Sequence, residues 1–396
     1  MPPPPPFPRK CGPSDEWSVY PGHRSTSLAL PDYFSTYLSY SYDTLKYPNK
    51  GLRISGQFPS ARYLSFNVYA TRTGTSLNAL TDFQIQTKDP AGNPFVAGNP
   101  DAGGDYIIHV QPQADDPPDL ENLLTYNPAD LKEGLLTVVL RYYVPQVNDD
   151  GGVDCPRVMS YGVNKPYAPP SPTPPEPYPA HMDLNEPFFR QRLAPIFQTT
   201  AENCDPLRFY HAAGGGQFNN ADNMYLIAAV KQVDPAAYCV VVRVRPPDYP
   251  AASDQFDQRD VRYWSFNQGN PTTSTPYGMR DSQFRPAKGG SVYILMGDDS
   301  LAGHAEARGY NFMRWAADSE QAVIIYRNML TVPQYRHSMA RVPKLPKPRP
   351  DGTWAPETLT SYEAANYLGA YAPAGRRVSN QDFIINSGGM PSPGFA

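Results

Sequence analysis

The feature that most constrains how this chain can fold is a motif written twice. Arg-Tyr-Leu-Ser-Phe-Asn begins at Arg62 and Arg-Tyr-Trp-Ser-Phe-Asn at Arg262, each followed further on by an aspartate, Asp82 and Asp281. The likeness continues downstream in the same order. A glycine pair leads into DYIIHVQP after Gly103 and into SVYILMG after Gly289, and Pro128–Pro145 (PADLKEGLLTVVLRYYVP) matches Ala316–Pro333 (AADSEQAVIIYRNMLTVP). Three blocks in one order read as a domain duplication.

Within the motif the pattern has period two. Tyr63, Ser65, Asn67 and Tyr69 fall on one face and Arg62, Leu64, Phe66 and Val68 on the other, which describes a half-buried strand. Each motif is therefore expected to be the central strand of its own sheet, with Phe66 and Phe266 in the two cores. Each arginine should sit at the rim of the apolar face with its stem packed and its head on an aspartate. Arg62 should meet Asp82 and Arg262 should meet Asp281, because a bidentate pair holds neighbouring strands in register. The two halves should superpose strand for strand.

Further strands are expected at Leu52–Gly56, Phe83–Thr87, Asp105–Gln111, Leu135–Tyr143, Met224–Val230, Tyr238–Val244, Ser291–Met296 and Val323–Tyr326. Helices are few, with capping-box pairs Asp183/Glu186 and Thr360/Glu363 placing them at Asp183–Leu193 and Ser361–Leu368. The 47 prolines and 28 tyrosines favour strands joined by long ordered loops. The fold class is all-β: two tandem antiparallel β-sandwich or jelly-roll domains from an internal duplication.

Between the halves, Pro166–Pro179 has eight prolines in fourteen residues and reads as a stiff extended linker. The expected organisation is a proline-rich arm over 1–27, a first sandwich over 28–165, the linker over 166–180, a second sandwich over 181–336 and an extension over 337–396 that packs on the domains.

The segment ARYLSFNVYATRTGTSLNALTDFQI with the later Asn-Pro-Phe at Asn93 resembles uncharacterised proteins of bacteria and fungi. FNNADNMYLIAAV followed by VRYWSFNQG resembles paired domains of unknown function in which Asn-x-Asp-x-x-Tyr precedes an Arg-Tyr-Trp strand. The first half lacks that Asn-x-Asp-x-x-Tyr segment and has Leu64 in place of Trp264. The resemblance implies a β-rich fold and brings no reaction with it.

Composition bounds the function. With 34 Lys+Arg against 38 Asp+Glu there is no basic excess to bind nucleic acid, and no apolar run is long enough for a membrane span, so the chain reads as soluble. The start has no apolar signal region; a secreted protein whose leader has been removed is favoured over a cytoplasmic one. Cys11, Cys155, Cys204 and Cys239 form no Cys-x-x-Cys pair. Cys239 reads as a buried free thiol, and Cys155 with Cys204 as a disulfide available in an oxidising compartment.

The residue clusters that could carry chemistry lie in the second half. Phe209–Tyr225 combines His211, three successive glycines and Asn220, Asp222, Asn223 and Tyr225, a polar loop that could wall a pocket. Arg262 and Tyr263 of the motif and Asp281 add an anion anchor. His304 and Glu306, two apart, would share a face on a strand, and His304, Arg308, Tyr310 and Arg314 could line a cavity beside Arg262. No nucleophile elbow, metal-ligand spacing or phosphate-binding loop is present, so no cofactor and no metal is expected. Two functional classes remain. One is a small-molecule-binding protein, enzymatic or not, with a polar pocket in or beside the C-terminal domain; the other is a non-enzymatic glycan-binding, protein-binding or structural assembly protein presenting tyrosine-rich surfaces.

Overall fold

The computed structural model describes residues 9–11, 17–24, 31–96, 103–114, 119–163, 206–211, 218–231, 234–251, 253–269, 275–315, 321–346, 349 and 354–385. The expected linker over 166–180, the expected helix Asp183–Leu193, the glycines at 214–216 and Cys204 lie outside the described residues.

The first half supplies β1 (Arg9–Cys11), β2 (Trp17–Pro21), β3 (Ser35–Asp43), β4 (Lys50–Gln57), β5 (Tyr63–Ala70), β6 (Thr75–Thr81), β7 (Asp105–Pro112), β8 (Leu123–Tyr126), β9 (Leu135–Tyr143) and β10 (Arg157–Gly162). The second supplies β11 (Tyr210–His211), β12 (Asn223–Lys231), β13 (Tyr238–Val244), β14 (Tyr263–Gly269), β15 (Tyr277–Arg280), β16 (Val292–Gly297), β17 (Asn311–Arg314), β18 (Gln321–Met329) and β19 (Ala374–Ser379). Four sheets result, ordered β1-β2-β3-β9-β5-β6, β10-β4-β7-β8, β11-β12-β18-β14-β15 and β17-β16-β13-β19.

The duplication holds through the whole topology. The run β3-β9-β5-β6 repeats as β12-β18-β14-β15, and β10-β4-β7-β8 repeats as β19-β13-β16-β17. Even the register is kept: Ser65 pairs with Arg141 as Ser265 pairs with Arg327. Within each half the two sheets close on one apolar core. Leu64, Phe66, Leu140 and Ile108 meet in the first, and Trp264, Phe266, Ile324 and Ile294 in the second, so the chain forms two tandem β-sandwiches. Phe66 and Phe266 are both fully buried.

Several expectations need correcting. The two four-stranded sheets are mixed, since β7 and β8 run parallel, as do β16 and β17, while the two larger sheets are antiparallel. Phe83–Thr87 is no strand: Asp82–Gln84 is a 3₁₀ turn, closed where Gln84 Oε1 accepts the Thr81 N–H and Asp82 accepts that of Phe83. Phe83 is consequently exposed while Ile85 packs inside, although two residues apart on a strand would share a face. The helix expected over 361–368 is two short ones. Pro356, at the first helical position, starts Pro356–Tyr362; extended backbone at Glu363 ends it, and Ala365–Leu368 follows.

The ends of the chain are also built into the sheets. β2 pairs with β3, so part of the expected N-terminal arm extends the first large sheet. β19 pairs with β13 in the place β10 holds beside β4, so the C-terminal extension supplies an edge strand of the second sandwich. Cys155 bonds to Cys11, not Cys204, with Cα atoms 6.0 Å apart, and this ties the N-terminal strands to the far sheet of the first sandwich. Cys239 is free and buried, and burial pushes its thiol up to about 12.

Candidate functional site

All eight residues of β5 and all seven of β14 are buried, so neither motif strand is half-exposed as its alternation suggests. The polar face of each lies against the other domain. Tyr63, Tyr143, Tyr263 and Met329 cluster across the junction, as do Tyr69, Val139 and Phe218. Two related domains meeting through the same surface form a pseudo-two-fold interface, the intrachain counterpart of an isologous dimer.

The arginines show the exchange most clearly. Arg62 NH1 lies 2.5 Å from Asp281 Oδ2, and Arg262 NH1 lies 2.5 Å from Asp82 Oδ1. The expected pairs within each domain are therefore replaced by reciprocal pairs between domains. Each aspartate does serve its own motif strand, but through the backbone: Asp82 accepts the Leu64 N–H at 3.0 Å and Asp281 the Trp264 N–H at 3.2 Å. That leaves the carboxylate facing outward to an arginine from across the junction. Burial raises both carboxyls above their ordinary value of 3.8, opposed by the arginine and the backbone donors. Arg262 also stacks over Phe256, 4.3 Å from the ring centre.

A loop from each domain enters the other's sheet. Asp32 receives Tyr263 Oη at 2.8 Å, Ser265 Oγ at 2.6 Å and Arg327 NH1 at 3.1 Å. Its counterpart Asn220 accepts Tyr63 Oη at 3.0 Å, and Asp222 takes the same hydroxyl at 2.6 Å. Asn223 donates to Tyr143 Oη, Arg141 donates to the Phe218 carbonyl and to Tyr69 Oη, and Arg327 lies over the Tyr225 ring. Burial, reinforced by Asp222 and Asp32, raises the Tyr63 and Tyr263 phenols well above 10, so both remain hydrogen-bond donors. Gly278 makes room for the first domain's loop, since a Cβ there would come within 2.6 Å of Tyr33 Cβ.

The structure thus brings Asn220, Asp222, Asn223, Tyr225, Arg262, Tyr263 and Asp281 together, but as partners of one another in the junction. The other sequence candidates lie elsewhere. His211 is buried with Nδ1 2.8 Å from the Val342 carbonyl, and burial lowers its pKa. His304 and Glu306 sit on the helix Ala302–Ala307 rather than on a strand, so two residues apart no longer means one face; Glu306 pairs with Arg285. Arg308 donates to the Phe383 and Ile384 carbonyls, and Tyr310 packs on Phe383 against the outer face of the β13–β16 sheet. Arg314 pairs with Asp299. A cavity shared by these residues and Arg262 does not form, because the second sandwich's own core separates that outer face from the junction. Among the described residues no group of His, Cys, Asp and Glu is placed to hold a metal ion, and no helix is long and apolar enough to cross a membrane.

Beside the reciprocal ion pairs the junction opens into a cleft of about 850 Å³. The first domain contributes Phe58, Arg62, Phe95 and residues 144–147 and 151–153, and the second Pro250, Ala251, Phe256 and Arg280. The second domain can reach because its β13–β14 connection is residues 245–262, where the matching β4–β5 connection is only 58–62. Among the described residues no acid and no histidine lines the cleft.

No family model matches the chain. No curated protein matches it. The chain is similar, over 77% of its length, to 75% of a solved uncharacterised protein from Burkholderia cenocepacia, at 13% identity and a TM-score of 0.48. It is also similar, over 79% of its length, to 87% of a solved protein from Vibrio parahaemolyticus, at 11% identity and a TM-score of 0.37. Scores this low transfer no activity to this chain.

Proposed function

We propose that this protein binds a small organic molecule in the cleft between its two sandwiches. The observation that carries the reading is the cleft itself, whose volume is that of an ordinary ligand site and whose walls come from both domains. Its lining is mixed: phenylalanine and proline surfaces for an apolar body, with arginine and backbone groups for orientation. The described lining residues include no acid, histidine or cysteine, which favours binding over acid–base or nucleophilic catalysis. A ligand seated there would touch both domains at once and so stabilise their docking. The Cys11–Cys155 disulfide agrees with a protein exported to an oxidising compartment.

The alternative of an adhesive or assembling tyrosine surface has less to support it. Among the described residues the exposed tyrosines are Tyr238 and Tyr367, while Tyr63, Tyr69, Tyr143 and Tyr263 are consumed inside the junction.

Saturation-transfer NMR with a panel of neutral, anionic and sugar fragments tests the proposal, comparing the native chain with Ala251→Trp, which fills the cleft from an exposed position. The expected result is fragment binding that disappears in the variant. Binding that persists unchanged when the cleft is filled, or no binding at all, refutes it.

A further inference from the structure

We infer that the cleft takes a carboxylate, with Arg280 holding the acid group of a small, flat and otherwise apolar molecule. This rests on the cleft being a ligand site and names what the site selects.

Arg280 lines the cleft from the end of β15, one residue before the junction aspartate Asp281. Among the described residues its guanidinium has no hydrogen-bond or ion-pair partner; its contact is the Phe34 ring, 5.4 Å from the guanidinium carbon. Its Nε is buried without a partner. A part-buried guanidinium with an unsatisfied donor costs free energy unless an acceptor arrives.

The duplication shows how Arg280 differs from its counterpart. The residue matching Arg280 in the first domain is Thr81, one residue before Asp82, and Thr81 Oγ1 bonds Asp222 at 2.5 Å. The residue matching Asp222 is Phe34, since Asp32 and Asn220 occupy the same turn three residues before β3 and β12. One copy of the interface thus pairs a small hydroxyl with an internal carboxylate. The other has enlarged the hydroxyl to arginine and replaced the carboxylate with a phenylalanine, so among the described residues no carboxylate meets that arginine.

Charge and shape define that anion. Arg62, the other arginine among the described lining residues, is already neutralised by Asp281, so among those residues one positive charge is left uncompensated, which suits a monoanion. A planar guanidinium fork matches a carboxylate. Phe58, Phe95, Phe256 and Pro250 supply the apolar walls for the rest of the ligand, and flat rings pack best on such surfaces.

The test is isothermal titration of the full chain at low salt and pH 7 with benzoate, with its uncharged isostere benzamide, and with inorganic phosphate. Benzoate should bind at least about 10-fold more tightly than benzamide, the scale of one hydrogen bond to a charged group. Arg280→Gln should remove that preference and Arg280→Lys should restore part of it, with thermal melting of each variant confirming an intact fold. Equal affinity for benzoate and benzamide, both abolished by Ala251→Trp, refutes the carboxylate while leaving the cleft a ligand site. Benzoate binding that survives Arg280→Gln, absence of benzoate binding, or a preference for phosphate over benzoate refutes the inference. Loss of no ligand on filling the cleft refutes the underlying site as well.

Discussion

Replacing Asp32 by alanine should be among the most damaging single changes in the junction. Its carboxylate accepts the Phe34 N–H at 2.9 Å, Tyr263 Oη at 2.8 Å, Ser265 Oγ at 2.6 Å and Arg327 NH1 at 3.1 Å, three of these from the other domain. Arg327 is only 2% exposed, so its charge would remain buried with its carboxylate gone. Breaking a buried pair in this way costs about 3–5 kcal/mol. Arg327→Met removes that buried charge, so the double variant Asp32→Ala/Arg327→Met should be more stable than the sum of the two single losses predicts, by about 1.5 kcal/mol or more. Urea unfolding followed by tryptophan fluorescence reads both effects. Native protein should unfold in one transition, because the domains share this interface, whereas Asp32→Ala should separate the transitions of the two sandwiches. A loss below about 1 kcal/mol, or strictly additive single and double variants, refutes the reasoning.

Three further outcomes follow from the same structure. Phe66→Ala and Phe266→Ala, both at fully buried positions of the two cores, should each cost about 3–5 kcal/mol in denaturant titrations. Reducing Cys11–Cys155, which closes a separation of 144 residues, should lower the melting temperature in a calorimetric scan, with a loop-entropy ceiling of about 5 kcal/mol. Burial, with Arg53 nearby, lowers His109 from 6.5 to about 4, so the unfolded chain binds the proton more readily than the folded one. Stability should therefore fall as pH drops from about 6.5 to about 4, by at most about 3 kcal/mol from this residue, and His109→Gln should flatten that slope in unfolding measured against pH.

Much of each sandwich was legible from the chain alone. Period-two alternation locates β5, β9, β13 and β14 because those strands are long and carry β-branched or aromatic residues on their core faces. It fails at Phe83–Ile85, where a turn buries one of two apolar residues spaced as in a strand. It also misses short strands such as β8, β15 and β17, whose place is set by pairing with a neighbour rather than by a pattern of their own.

The docking of the two domains was harder to read, because alternation reveals that a face is polar but not what covers it. A signal was nevertheless present. Tyr63, Ser65 and Asn67 recur as Tyr263, Ser265 and Asn267 on the face away from each core, and duplicated polar identity there is what a surface meeting its own copy requires. Proximity in sequence suggested local Arg–Asp pairs, while the backbone bonds from Leu64 and Trp264 turn each aspartate toward the opposite domain. Arg280 was invisible to a search for likeness between the repeats, since its meaning lies in how it differs from Thr81.

Double-mutant cycles on the arginines measure the exchange most directly. Arg262→Met combined with Asp82→Asn should show a coupling of about 1.5 kcal/mol or more, as close buried charge pairs do, and Arg262→Met combined with Asp281→Asn about 0.5 kcal/mol or less. The opposite ranking, with Arg262 coupled to Asp281 and independent of Asp82, would mean that each domain satisfies its own arginine and that the two sandwiches do not dock through reciprocal pairs.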